Sequence, residues 1–175
     1  MAKIRVVSDD IVHVVTDAIV TLINREGDWY GGVDWAIKNV AGGKYHRQAQ
    51  AVLDSKGLFD KQVVVAKGNQ REHNGFFDNV IFVVDDLKSP LSELVFRALY
   101  AAKQEDYHSI ALPLFRTGVM AGVVEPDLET VIEQMIKGFK QFVSYGDDEL
   151  EICVVIYANP LAVKMFRQAL KLANL

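Results

Sequence analysis

Six short apolar runs punctuate the chain, at residues 4–7, 18–23, 63–66, 80–84, 110–114 and 152–157. They are continuous rather than alternating, the pattern of strands covered on both faces. Helical patterns lie between them. Residues 34–40 form a short one, and residues 45–53 follow the Gly42-Gly43 break. Ser89-Pro90 opens a helix to about Lys103, with the serine as cap and the proline in the first turn. Leu91, Leu94, Val95, Ala98 and Leu99 make its apolar stripe. Pro126 opens another, with Leu128, Val131, Ile132, Met135, Ile136 and Phe139 on one face. Asn159-Pro160 opens the last, with Val163, Phe166, Leu170 and Leu172 on or near its buried side. Strands alternating with helices predict an α/β fold: a three-layer α/β/α sandwich around a mixed, mostly parallel sheet, as one domain over residues 1–175. The polar, glycine-containing segment 68–78 joins two strands.

Composition narrows the classes. The 175 residues are half hydrophobic, enough for a proper core. A net charge of −4 disfavours a large phosphate footprint, so nucleic acid is not expected as a partner. No apolar run is long enough to span a bilayer, and residues 1–5 lead into a strand without a signal-peptide core. The expectation is a soluble, cytoplasmic protein without membrane partners. Cys153 is the single cysteine and lies in an apolar run, which predicts a buried, inert thiol. His13, His46, His73 and His108 lack metal-ligand spacing, so neither a metal nor a cofactor is expected. No Gly-x-Ser-x-Gly, Walker or dinucleotide fingerprint occurs. The run Asp147-Asp148-Glu149 reads as a solvated turn.

The candidate chemistry sits where two strands end. Asp17 to Asn24 reads as a buried strand closing on an amide, and Gly31-Gly32-Val33-Asp34 opens a helix with a carboxylate in its first turn. Ligands of open α/β sheets bind at the carboxyl ends of the strands. A second loop at such an end holds Phe115-Arg116-Thr117-Gly118-Val119-Met120-Ala121-Gly122. Backbone N–H groups at such turns bind anionic oxygens, and glycines let a ligand come close. Two such loops side by side can grip a diphosphate, and the neighbouring amide and acid suit a phosphorylated sugar. Each residue also has a plainer reading. Asp34 can cap its helix, Asn24 can serve its turn, and Asp10 can cap a short helical turn. Arg116 can add a charge-assisted bond to phosphate or point to solvent. Gly118 and Gly122 can serve turn geometry alone, and Trp29 and Tyr30 read as pocket rim.

Three pieces in order resemble the macro domain, the ADP-ribose-binding module. The family strand Asp-Ala-Ile-Val-Asn-Ala-Ala-Asn, its Gly-rich loop and Val-Asp-Gly-Ala-Ile match Asp17-Ala18-Ile19-Val20, Asn24, Gly31-Gly32-Val33-Asp34 and Ala36-Ile37 without a gap. Asp10-Ile11-Val12 falls where the family carries Asp-Ile-Thr. Ile110-Ala111-Leu112-Pro113 and the 115–120 loop match its second phosphate loop. The resemblance implies that Asp10, with Ile11 beside it, receives the adenine amino group. It implies that Gly31, Gly32 and Val33, facing Arg116, Thr117, Gly118 and Val119, hold the diphosphate, with Met120 over the distal ribose. Residues 157–159, including Tyr157 and Asn159, would lie by the adenine. Asn24 would hold the distal ribose hydroxyls, and Asp34 would act near the anomeric carbon. The implied function is ADP-ribose binding with hydrolysis of an ADP-ribose derivative, either ADP-ribose 1''-phosphate or ADP-ribose esterified to a protein carboxylate. The departures, Thr21 for an asparagine and Trp29 and Tyr30 for glycines, keep a second reading open. That reading is a non-catalytic module for ADP-ribose or a related nucleotide, RNA included.

Overall fold

The computed structural model describes residues 3–28, 31–146 and 149–175. Trp29 and Tyr30, expected at the pocket rim, and the Asp147-Asp148 part of the expected turn lie outside the described residues. Six strands, β1 (Lys3–Ser8), β2 (Thr16–Ile23), β3 (Val63–Ala66), β4 (Phe77–Val84), β5 (Ser109–Leu112) and β6 (Glu151–Ile156), form one sheet. Their order is β1-β6-β5-β2-β4-β3, parallel throughout except for the antiparallel edge pair β3–β4. Five helices cover it: α1 (Gly32–Ala41), α2 (Lys44–Lys56), α3 (Leu91–Gln104), α4 (Leu128–Ser144) and α5 (Pro160–Leu172). The α/β class and mixed sheet are those read from the sequence.

Successive strand residues face opposite ways, which sorts the core into two halves. Along β2, Ala18, Val20 and Leu22 join a core shared with α3, α4 and α5. Ile19 and Ile23 join a second core shared with α1 and α2. Both faces are therefore apolar, and the strand reads as an unbroken hydrophobic run. Cys153 belongs to the second core, where burial pushes its thiol pKa up.

Two strands stop short of the sequence reading, and the caps of two helices differ from it. β5 stops at Leu112, because Pro113 has no N–H for the ladder, and β6 stops at Ile156. Registered pairing of β5 with β2 covers Ala18–Ile110 and Ile19–Ala111, while β2 continues to Ile23. The sheet parts there, and the gap becomes the floor of a cleft. Ser89 does not cap α3: its hydroxyl donates to Asp60 Oδ2 at 2.7 Å. The acceptor for the α3 start is Glu125, whose Oε1 takes the Leu91 N–H at 3.0 Å. α4 is capped by Asp127, one residue past the expected Pro126; its Oδ1 takes the Thr130 N–H at 2.8 Å.

Helices α3 and α4 touch at Gly138, where a Cβ would lie 2.8 Å from Ser92 O. Because that oxygen is backbone, Gly138→Ala is expected at the upper end of the overpacking range, about 1–3 kcal/mol. This exceeds the roughly 1 kcal/mol that alanine gains over glycine in a helix. Urea unfolding of the variant checks the sign, which is destabilising. A second expectation concerns pH. Gly75 N–H donates to His73 Nδ1 at 3.0 Å and Tyr45 Oη lies 2.9 Å from Nε2. Burial first, then the Lys44 charge, lowers the His73 pKa below its ordinary 6.5. The folded state therefore takes up this proton less readily than the unfolded chain, and stability is lost as pH falls below about 6.5. Urea midpoints between pH 7.5 and 5.5 should fall in the wild type and flatten in His73→Gln.

Candidate functional site

The gap beyond β5 opens into a cleft with two joined chambers. Gly32, Val33, Pro113, Leu114 and Thr117 border both. The larger, about 530 Å³, is lined by Asp9, Asp10, Ile11, Tyr157 and Asn159 among others. The smaller, about 230 Å³, takes in Thr21, Asp34, Asp85 and the 113–120 loop. The larger chamber alone has the size of a small-molecule site. Of the residues expected from sequence, Asp10, Ile11, Gly32, Val33, Asp34, Arg116, Thr117, Gly118, Val119, Met120, Tyr157 and Asn159 line this cleft.

One wall is the start of α1. The Trp35 N–H is the first to find a helical acceptor, Gly31 O at 3.1 Å. The N–H groups of Gly32, Val33 and Asp34 precede it and have no acceptor within the helix. Gly31 turns the chain into α1 at φ 113 and ψ −125, a conformation open to glycine and closed to other residues. The opposite wall is the 113–120 loop, where the Thr117 hydroxyl donates to Leu114 O at 2.9 Å. Two turns bearing N–H groups thus face each other across the junction of the chambers.

Asp34 is not a helix cap. It lies in the first turn of α1, where a carboxylate suits the helix dipole, but its side chain turns inward and is 3% exposed. Thr21 Oγ1 donates to Asp34 Oδ1 at 3.3 Å, and His46 Nε2 lies 3.2 Å from the same oxygen. Thr21 comes from β2 and His46 from α2, so three elements meet at one carboxylate.

Asn24 is not brought to Asp34 in the same way. Its Oδ1 accepts the N–H groups of Glu26 at 3.0 Å and Asp28 at 2.8 Å, and Nδ2 lies 3.4 Å from Asp28 Oδ2. The side chain folds its own loop, the turn role open to asparagine at a strand end, and it lines neither chamber. Arg25 fastens that loop to the end of β4 through Asp86 Oδ2, at 2.6 Å. Gly31 also stands outside the lining and acts through the turn it permits.

Arg116 departs from both expectations for it. It reaches neither the ligand space as a phosphate donor nor the solvent. Its side chain is 1% exposed, and its Nε and Nη2 donate to Asp85 Oδ2 and Oδ1 at 2.9 and 2.8 Å. Nη1 donates to Glu125 Oε1 and Oε2 at 2.9 and 2.8 Å, and Nη2 also to Ser89 O at 2.8 Å. All of its donor groups are therefore engaged inside the protein. Burial pulls the guanidinium pKa down, but the bonds and charges of Asp85 and Glu125 outweigh it and hold the pKa above its ordinary value. The backbone of Arg116 is left-handed, φ 57, a conformation a long side chain keeps when its surroundings fix it. The fork thus ties the cleft loop to the end of β4 and the start of α3.

On the other side, Asp10 caps a 3-10 turn, Ile11–His13, by accepting the Val12 N–H at 3.2 Å. Its carboxyl is 40% exposed, so the cap leaves it open to the chamber. Asn159 caps α5 through the Ala162 N–H at 3.1 Å. Tyr157 is 77% exposed beside it. Among the described residues, no group of three or more His, Cys, Asp or Glu side chains is arranged to hold a metal. No helix is long and apolar enough to cross a membrane, among the same residues.

Three residues of the site escaped the sequence reading. Asp85 follows an apolar strand run, and that placement is a legible signal at the carboxyl end of a strand. His46 and Glu125 carry no local signal, since their partners Asp34 and Arg116 lie 12 and 9 positions away, outside any turn or helix they share. Arg116→Met leaves Asp85 and Glu125 buried without their cation. The expected loss of stability at pH 7 is about 3–5 kcal/mol. Urea unfolding at pH 7 checks this.

No protein-family model matches the chain. An uncharacterized protein of Pyrococcus furiosus is 29% identical over 98% of this chain and 97% of its own length. A protein of Archaeoglobus fulgidus named ADP-ribose glycohydrolase is 26% identical over 95% of this chain and 93% of its own. Among solved structures, the D-to-A mutant of an Oceanobacillus iheyensis macrodomain superposes with a TM-score of 0.76 at 21% identity, covering 95% of this chain and 90% of that one. A Trypanosoma brucei macrodomain in complex with ADP-ribose gives 0.77 at 20% identity, covering 95% and 68%. These likenesses run across nearly the whole chain, so the chain has the macrodomain fold.

Proposed function

We propose that the chain binds ADP-ribose in the two-chambered cleft and hydrolyses an ADP-ribose derivative at the distal ribose. The observation that carries this is the pair of N–H-bearing turns at the junction of the chambers, with a buried carboxylate, Asp34, on the smaller chamber. The adenosine occupies the chamber of Asp10, Ile11, Tyr157 and Asn159, and the diphosphate sits between the turns at 31–33 and 116–119. Arg116 serves the second turn as its internal anchor and offers the phosphate its backbone rather than its charge. The distal ribose then enters the chamber of Asp34, beneath Val119 and Met120. The bound ADP-ribose of the Trypanosoma brucei macrodomain and the name of the Archaeoglobus fulgidus relative support this reading.

In the reaction, water adds its oxygen to the anomeric carbon. The bond from that carbon to the leaving oxygen breaks with its electron pair, and Asp34 accepts the proton of the water. The products are ADP-ribose and either phosphate or a protein carboxylate. Asn24 holds its own loop through Oδ1 and lines neither chamber, so the step is assigned to Asp34 alone. The same engagement of Asn24 favours a second reading, a module that binds ADP-ribose without turnover.

Titration with ADP-ribose should give a dissociation constant of about micromolar order. Release of phosphate from ADP-ribose 1''-phosphate, and of ADP-ribose from a modified protein, should identify the substrate. Asp34→Asn is expected to lose about 100-fold or more in kcat, with ADP-ribose affinity nearly unchanged. Binding with no turnover on either substrate selects the second reading. Absence of binding overturns both.

A further inference from the structure

We propose that His46 is a positioning residue for Asp34, a role that rests on Asp34 acting at the distal ribose. Every hydrogen bond to the Asp34 side chain among the described residues falls on Oδ1. The donors, Thr21 Oγ1 and His46 Nε2, are both buried, with Thr21 3% and His46 4% exposed. They approach from β2 and α2, on the protein side of the carboxylate. Oδ2 is thereby left for the chamber that Asp34 lines.

The chemistry of the pair fixes its sense. An ionised carboxylate accepts and does not donate, so the 3.2 Å contact places a proton on His46 Nε2. The ring is held in its plane by an edge contact with Phe82, centroids 5.2 Å apart. Burying a carboxylate and an imidazole is unfavourable unless each finds a partner, and here each is the other's. The rest of the buried face of α2 is Tyr45 and Ala49, so packing alone is met by an apolar side chain at 46. What an apolar side chain cannot do is stop the carboxylate from turning about its own bond. With two donors on Oδ1 the carboxylate plane is set, and Oδ2 meets the attacking water in one orientation. A base must be placed to well within an ångström for an oriented attack, which makes this hold a matter of rate rather than affinity.

The test compares the full chain with His46→Leu and His46→Gln on the substrate that the wild type turns over, with ADP-ribose affinity and thermal melting measured beside it. Gln puts an amide N–H close to the place of the imidazole Nε2, and Leu puts none. His46→Leu should lose about 10- to 100-fold in kcat while ADP-ribose affinity stays within about threefold. His46→Gln should recover most of that loss. Undiminished kcat in His46→Leu overturns the inference alone, and so does a His46→Gln that melts like wild type yet stays as slow as His46→Leu. A wild type without turnover on either substrate overturns the proposed reaction and this inference together. The imidazole nitrogen spectrum of the unmodified protein gives a reading that needs no variant: Nε2 protonation supports the hold, and a neutral ring protonated on Nδ1 overturns it.

Discussion

The Arg116 fork is the constraint on which the cleft depends. One guanidinium binds Asp85 at the end of β4, Glu125 ahead of α4 and Ser89 O ahead of α3. Glu125 also accepts the first N–H of α3. A single buried cation therefore joins three segments that the sheet alone leaves apart. Such networks contribute little net stability, because removing the charges from water offsets most of their attraction. Their worth here is geometric. The loop from Pro113 to Met120 has no strand partner, and the fork fixes its path with Arg116 in the left-handed region.

The second constraint is the early end of β5. Because Pro113 leaves the ladder while β2 runs on to Ile23, the two strands stop sharing hydrogen bonds and their following segments separate. α1 begins on one side of the opening, and the fork-held loop lies on the other. The polar interior then collects around what those segments bring: Thr21 from β2, Asp34 from α1, His46 from α2 and Asp85 just past β4. The fold thus supplies a position, and the buried polar contacts aim the groups within it.

Much of this was legible in the sequence, for a physical reason. Strands buried on both faces must be apolar at nearly every position, so the runs 18–23, 80–84 and 152–157 announce themselves without any partner in view. Gly31 marks a turn that other residues do not fit, and Asp10 and Asn159 carry the side chains their caps require. What failed were residues whose partners are distant. Arg116 in a glycine-containing loop looks like an anion ligand until Asp85, 31 positions away, is folded against it. Ser89 looks like the cap of α3 until Glu125, 34 positions from Leu91, takes that place. Asn24 shows the reverse case, since its nearest donors, Glu26 and Asp28, were in plain sight and pointed to the turn role.

On the proposed function, a diphosphate is held by backbone N–H groups of two facing turns, one of them fixed by a fork that does not itself touch the ligand. A crystal structure of the chain with ADP-ribose tests it most directly. The expected result is phosphate oxygens within hydrogen-bond distance of amide groups in 32–34 and 116–119, with Arg116 still on Asp85 and Glu125. A guanidinium swung out onto the phosphate, or a ligand seated away from both turns, would contradict it.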